Sequence, residues 1–136
     1  MANKTVLITG GASGMGLRLG ECYAKEGANV VLADINQDTL DACVADIRSY
    51  HENVIGVQAD VREYTQVVAV RDAAVEKFGS IDILINCAGG AETRIHNMHG
   101  VFYENPIDIY DFGIDVNLKG AMYFDHAVMQ QMAKQN

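Results

Sequence analysis

Positive charge is scarce in this sequence. Ten lysines and arginines stand against eighteen aspartates and glutamates, a formal net charge of −8 over 136 residues. That balance offers no broad basic surface to nucleic acid or anionic lipid, and neither is expected as a partner. Long apolar runs are missing too: none reaches the ~20 residues that cross a bilayer, so no membrane span is expected. The opening MANKTVLITG passes straight into a strand pattern without a signal-peptide layout, and a cytoplasmic protein is expected. Cysteine is limited to Cys22, Cys43 and Cys87, an odd number at wide spacing. That fits reduced thiols packed as small core residues better than a disulfide framework. The one proline, Pro106, belongs to no Pro-rich or Ser-rich linker, and no repeat recurs at a solenoid period. Residues 1–136 are therefore read as a single domain. Metal ligands are equally thin, because His96 and His99 have no further Cys, His or carboxylate cluster around them; no metal site is expected.

What is present is a strict alternation of two periodicities. Val6, Leu7 and Ile8 form a short apolar run closed by glycines, and ANVVLAD, IGVQAD and IDILINCA repeat that design from residues 28, 55 and 81. These are four buried strands. Between them lie helical stretches at 14–26, 38–50 and 64–78, the second with Leu40, Cys43, Val44 and Ile47 on one face. Gly27 and Gly79 stand where helices stop. Strand and helix in regular succession predict a doubly wound parallel sheet of Rossmann type, an α/β fold of three αβα layers. Residues 89–106 lack periodicity and read as a surface loop. From Ile107 the apolar positions Phe112, Val116, Ala121, Phe124, Val128 and Met132 recur at mixed steps of three to five, which predicts a long helix with a kink.

The chemistry concentrates at TGGASGMG, Thr9 to Gly16, between the first strand and the first helix. A glycine-rich turn lets backbone N–H groups approach a diphosphate, and the helix N-terminus behind it adds partial positive charge. An anion can thus be held there without lysine or arginine. The same pattern also describes an ordinary tight turn, and the residue that favours the ligand is Asp34. It closes the second strand, 24 residues after Gly10, where a carboxylate can accept from both hydroxyls of an adenosine ribose while repelling a 2′-phosphate. NAD is expected over NADP. An N-terminal cap of the second helix is the other use for Asp34, and the two are compatible.

These residues resemble the short-chain dehydrogenase/reductase family, whose glycine pattern stands here as Thr9, Gly10, Gly14 and Gly16. Three further segments resemble it in the same order: Asp60 with Val61, NCAG at Asn86 to Gly89, and DVNLKG at Asp115 to Gly120. The resemblance covers about residues 5–134 and implies an NAD(P)-dependent oxidoreductase that interconverts an alcohol and a ketone. It further implies that Gly10, Ser13, Gly14, Met15, Gly16, Asp34 and Ile35 meet the cofactor, that Asp60 bonds the adenine amino group while the Val61 backbone meets the ring, and that Asn86, Ala88 and Gly89 close over the ribose. Cys87 replaces the commoner asparagine and packs as a small apolar group. Asn117 matches the asparagine of the family's catalytic tetrad, whose main-chain carbonyl holds a water in a proton relay.

The rest of that tetrad is absent. Hydride chemistry at a carbonyl needs a proton donor, and the family uses a tyrosine with a lysine four positions on, beside a serine. The residues four beyond the six tyrosines are Gly27, Val54, Val68, Ile107, Ile114 and Ala127, and no serine follows Ser80. In the family the fourth strand lies inside the sheet, whereas here IDILIN would be an edge too apolar to be left bare. The expectation is an N-terminal part of a larger enzyme, with serine, tyrosine and lysine beyond residue 136. Self-association through the fourth strand or last helix, as a homo-oligomer, is the other way to cover it. Two further functions stay open: a non-catalytic NAD-binding module, and a structural or dimerising segment. Arg94, Tyr103 and Glu104 in the loop could contact a polar ligand, but nothing there identifies a substrate.

Overall fold

The structure, a computed structural model, describes residues 1–98 and 100–135. The elements run β1 (Thr5–Thr9), α1 (Gly14–Lys25), β2 (Asn29–Asp34), α2 (Gln37–Arg48), β3 (Val54–Gln58), α3 (Tyr64–Phe78), β4 (Ile83–Asn86), a single turn α4 (Glu92–Ile95), α5 (Ile107–Ile114) and α6 (Gly120–Met132). A π-helical turn, Asp115–Lys119, joins the last two. The four strands form one sheet in the order β3-β2-β1-β4, every pair parallel. The order reverses between β1 and β4. In open α/β sheets that reversal opens a crevice at the carboxyl ends of the strands, where ligands bind.

The alternation of side chains along each strand separates two cores. Val6, Ile8, Val30, Leu32 and Val54 point to one face, under Ala24 of α1 and Leu40, Val44 and Ile47 of α2. Leu7, Val31 and Ala33 point to the other, under Val67, Val70 and Ala74 of α3 and Phe124, Ala127 and Val128 of α6. The central strand β1 is buried along its whole length, as a strand covered on both faces and paired at both edges must be. Asn36 caps α2 by accepting from the Thr39 N–H at 3.0 Å. The three αβα layers expected of the sequence are all present.

Two expectations need correction. The segment 89–106 is not a featureless loop: it contains α4 and a 3₁₀ turn, Phe102–Glu104. Tyr110 fastens the latter by donating to the Phe102 carbonyl at 2.9 Å while accepting from Asn105 at 3.0 Å. Aperiodic apolar residues can still be ordered when a later helix supplies the anchor, which periodicity does not register. Nor are all three cysteines core residues, since Cys22 is exposed on α1 and only Cys43 and Cys87 are partly buried. Among the described residues no helix is long and apolar enough to cross a membrane. The histidine pair of the sequence reading includes His99, which lies outside the described residues; among the described residues no three or more His, Cys, Asp or Glu side chains are placed to hold a metal ion.

Candidate functional site

The turn after β1 is shaped by two glycines in the left-handed region. Gly10 has φ +62°, and a Cβ there would stand 2.8 Å from the Ala88 nitrogen and 2.9 Å from the Cys87 carbonyl carbon. Only glycine lets the turn lie against the end of β4. Gly14 has φ +51°, and a Cβ there would meet nothing within 4 Å, so its missing side chain leaves open space at the mouth of the crevice. Behind it α1 begins with no side-chain cap from Ser13 and no acidic residue in its first turn. The first intrahelical acceptor is the Ser13 carbonyl, taken by the Leu17 N–H at 3.1 Å. The N–H groups of Gly14, Met15 and Gly16 therefore have no helical partner, and the helix dipole is unopposed there.

Asp34, at the end of β2, organises this turn. Its Oδ2 accepts from the Ala12 N–H at 3.0 Å and its Oδ1 from the Asn36 N–H at 3.1 Å. A carboxylate has about four lone-pair directions, so each oxygen keeps acceptor capacity beyond these two bonds, and Asp34 lines the crevice. Cys43 supports the turn from below, its Sγ donating to the Ala12 carbonyl at 3.4 Å. Burial, and then the nearby Asp34, push that thiol up from its ordinary pKa, which keeps it the protonated donor this contact needs.

At the end of β3 the Asp60 carboxylate is gripped by Arg62. Oδ1 accepts from the Arg62 N–H at 3.0 Å and from Nε at 2.9 Å, and Oδ2 accepts from Nε at 3.0 Å and from Nη2. Hydrogen bonding from the Arg62 side chain, outweighing partial burial, holds the Asp60 carboxyl below the usual carboxylate range. The guanidinium also lies over the Phe112 ring, 4.8 Å from its centroid, which ties the β3–α3 turn to α5.

The end of β4 is pinned by side chains acting on backbone. Thr9 Oγ1 accepts from the N–H groups of both Cys87 and Ala88 at 3.1 Å. Asn117, in the π-helical turn, accepts from the Gly90 N–H at 2.9 Å and donates to the carbonyls of Gly90 at 3.0 Å and Gly113 at 2.9 Å. Its side chain is thus a three-bonded clamp between the post-β4 segment and the irregular turn. The kink expected of the long helix is this π turn, a feature often found at functional sites.

These parts enclose a crevice of about 770 Å³, within the ~300–1,000 Å³ of ligand sites. Gly10, Ser13, Gly14, Met15, Gly16, Asp34, Ile35, Asp60, Val61, Ala88 and Gly89 all line it. Asn86 is not among the lining residues: its amide donates to Asp125 on α6 at 2.9 Å, because alternation along β4 turns it to the α6 side. Asn117 stands behind the wall, bonded to Gly90 as described. The sequence reading missed Arg62, Phe112 and Val116, which also line the crevice. Phe112 and Val116 were visible only as apolar helix positions, and no spacing rule marks Arg62. Of the loop candidates, Arg94 reaches the crevice with Ile95, while Tyr103 is 83% exposed and away from it.

Comparison with known proteins agrees with this geometry. The family profile described as short chain dehydrogenase matches residues 4–136. The short-chain dehydrogenase/reductase aba4 of Botryotinia fuckeliana is 37% identical over 132 residues, 96% of this chain and 50% of that protein. The uncharacterized oxidoreductase YxbG of Bacillus subtilis is 37% identical over 120 residues, 88% of this chain and 42% of that protein. Among solved structures, a short-chain dehydrogenase/reductase from Burkholderia phymatum in complex with NAD superposes with a TM-score of 0.88 at 32% identity, covering 98% of this chain and 46% of that one. The chain spans about half the length of the curated relatives it matches.

Proposed function

The chain belongs to the short-chain dehydrogenase family, and from that membership we propose that it holds NAD, in preference to NADP, as the cofactor-binding part of an oxidoreductase interconverting a small-molecule alcohol and ketone. One observation carries the reading: Asp34, with acceptor capacity left on both oxygens, lines the crevice together with Gly14, Met15 and Gly16, whose N–H groups have no helical partner. The donor set fits a dinucleotide. The first turn of α1 would take the diphosphate, Asp34 with Ile35 the ribose, and Val61, Ala88 and Gly89 the walls. When bound, the nicotinamide supplies or accepts the hydride. Asn117 would hold the π turn so that its main-chain carbonyl orients a water for proton relay. The serine and the Tyr-x-x-x-Lys pair that complete such a relay are not in this chain, so these 136 residues by themselves are read as binding the cofactor without turnover.

NADH fluorescence titrated against the chain tests this. Saturable binding is expected, with NADPH roughly tenfold weaker because its 2′-phosphate meets Asp34. Asp34→Ala should cost NADH more affinity than NADPH, and equal losses would overturn the assignment. Absence of saturable binding favours the second reading, a structural or dimerising segment, for which the exposed Met122 and Met129 on α6 speak. In either case we place the protein in the cytoplasm, where its three free cysteines stay reduced, and expect it to self-associate through α6 or β4.

A further inference from the structure

Within the glycine turn one residue is held at both of its backbone polar groups. Ala12 is buried; its N–H donates to Asp34 Oδ2 at 3.0 Å, and its carbonyl accepts from the Cys43 thiol at 3.4 Å. The second of these bonds fixes a peptide plane. Among the described residues no peptide is cis, and in a trans peptide the carbonyl and the next residue's N–H point in opposite directions. Cys43 therefore draws the Ala12 carbonyl toward α2 and leaves the Ser13 N–H aimed away from it. Ser13 lines the crevice and Cys43 does not.

The chain itself leaves that N–H open. Among the described residues it meets no acceptor, and the local motif that supplies one elsewhere is blocked here. In a capping box the side chain three residues on reaches back to the cap residue's N–H. That residue is Gly16, and a Cβ on it would collide with the Gly10 carbonyl oxygen. The turn thus forbids the one neighbour that could satisfy Ser13.

We propose that Cys43 is a positioning residue for the diphosphate: through the Ala12 carbonyl it aims the Ser13 N–H into the crevice, as an anion donor beside those of Gly14, Met15 and Gly16. This rests on the reading of the crevice as a dinucleotide site. Without the thiol, the peptide between Ala12 and Ser13 turns about the bonds on either side of it, and the donor has no fixed direction when the anion arrives. A thiol is a weak donor, so its removal changes affinity by a few fold and leaves the fold in place.

The test follows the Ser13 amide by NMR while the chain is titrated with ADP and, separately, with adenosine, which lacks the phosphates. ADP is expected to move the Ser13 amide proton downfield, as a new bond to an anion does, and adenosine to leave it in place. Cys43→Val keeps bulk and removes the donor; it should halve that movement and weaken NADH, followed by its fluorescence, about fivefold. Cys43→Ser restores a donor and should recover NADH affinity to within about twofold of native. Cys22→Val, at the exposed thiol of α1, should change neither reading. Thermal melts check folding, and Cys43→Ala stands in if Cys43→Val does not fold. Three results overturn the proposal while NADH binding keeps the site standing: a Ser13 amide that ADP leaves unmoved or adenosine moves equally, NADH binding at native strength without the thiol, or equal losses of ADP and adenosine affinity, which mark a merely structural role. If native NADH binding does not saturate, both readings fall.

Discussion

The two sides of the crevice are held by different physics. On one side β1, α1 and β2 rest on apolar burial: Val6, Leu7, Ile8, Val31 and Leu32 are each 0% exposed. On the other, full burial comes mainly from α6, where Phe124, Ala127 and Val128 are each 0% exposed, while no residue of β4 is fully buried and Phe102, Ile107, Leu118 and Met129 all stand more than half exposed. That side is tied down by single side chains reaching backbone, such as Thr9 onto Cys87 and Ala88, Asn117 onto Gly90 and Gly113, and Gln135 onto both polar groups of Ile81. Burial tolerates many sequences of the right pattern, whereas a clamp fails when one residue changes.

The sharpest way to break this comparison is at the joint of the two sides. Gly10→Val puts a branched side chain where a Cβ already meets the Ala88 backbone at 2.8 Å, and does so at φ +62°. Strain and overpacking together predict a loss of roughly 2–6 kcal/mol, read as a fall in the urea midpoint at constant slope. A loss under ~1 kcal/mol would mean that β4 slides away freely and the two sides are not coupled. Asn117→Ala comes next. Deleting three hydrogen bonds to backbone predicts a cost of about 1.5–3 kcal/mol, with faster amide exchange at Gly90 and unchanged exchange in β1 and β2. Uniform acceleration throughout would show that the clamp supports the whole fold and not one side of it.

The same contrast explains how much was legible in the sequence. The four short apolar runs of β1 to β4 and the buried face of α2 were readable, because fully covered strands and a half-covered helix each leave a repeating trace in the sequence. So was the glycine turn, whose backbone demands exclude other residues, and Asp34 by its distance from that turn. Unreadable were the short helices after β4, the placement of Arg62 over Phe112, and the rotation of Asn86 onto Asp125. Each of these depends on where one side chain ends up across a tertiary gap. Asn117 was found by family likeness, yet its side-chain clamp onto Gly90 was not foreseen, since nothing local says which loop will pass within reach.

Acid provides a gentler probe of the clamped side. Asp82, just before β4, accepts from the Lys4 side chain at 2.8 Å and from the Thr5 N–H at 2.9 Å. Those two bonds, the Lys4 side chain first, hold its carboxyl below the usual range. A depressed folded-state pKa contributes stability that is fully present above the unfolded value of ~3.9 and lost as pH falls through the folded value. Asp60 follows the same sign through Arg62. Carboxyl titration by NMR should therefore show Asp82 rising toward ~3.9 in Lys4→Ala and Asp60 rising in Arg62→Ala, each without moving the other. Joint movement would contradict their treatment as separate ties.

The smallest expected effect on stability falls at Met129. With Met122 it stands seven residues apart on α6, two turns along one face, and the two are 64% and 57% exposed. Between them His126 meets the Tyr64 hydroxyl at 2.6 Å, so the strip pairs two thioethers with an aromatic and hydrogen-bonding middle, the composition of a contact surface more than of a solvated one. Met129→Lys buries nothing new and removes little packing, and should shift stability by no more than ~0.5 kcal/mol. If a second copy covers this face, the same change should lower the mass measured by sedimentation equilibrium, because a charge on each of two facing helices must be desolvated against its like. A native chain that sediments as a dimer and is unmoved by Met129→Lys would transfer the contact to the bare edge of β4, where pairing runs through backbone and a methionine on α6 has no say.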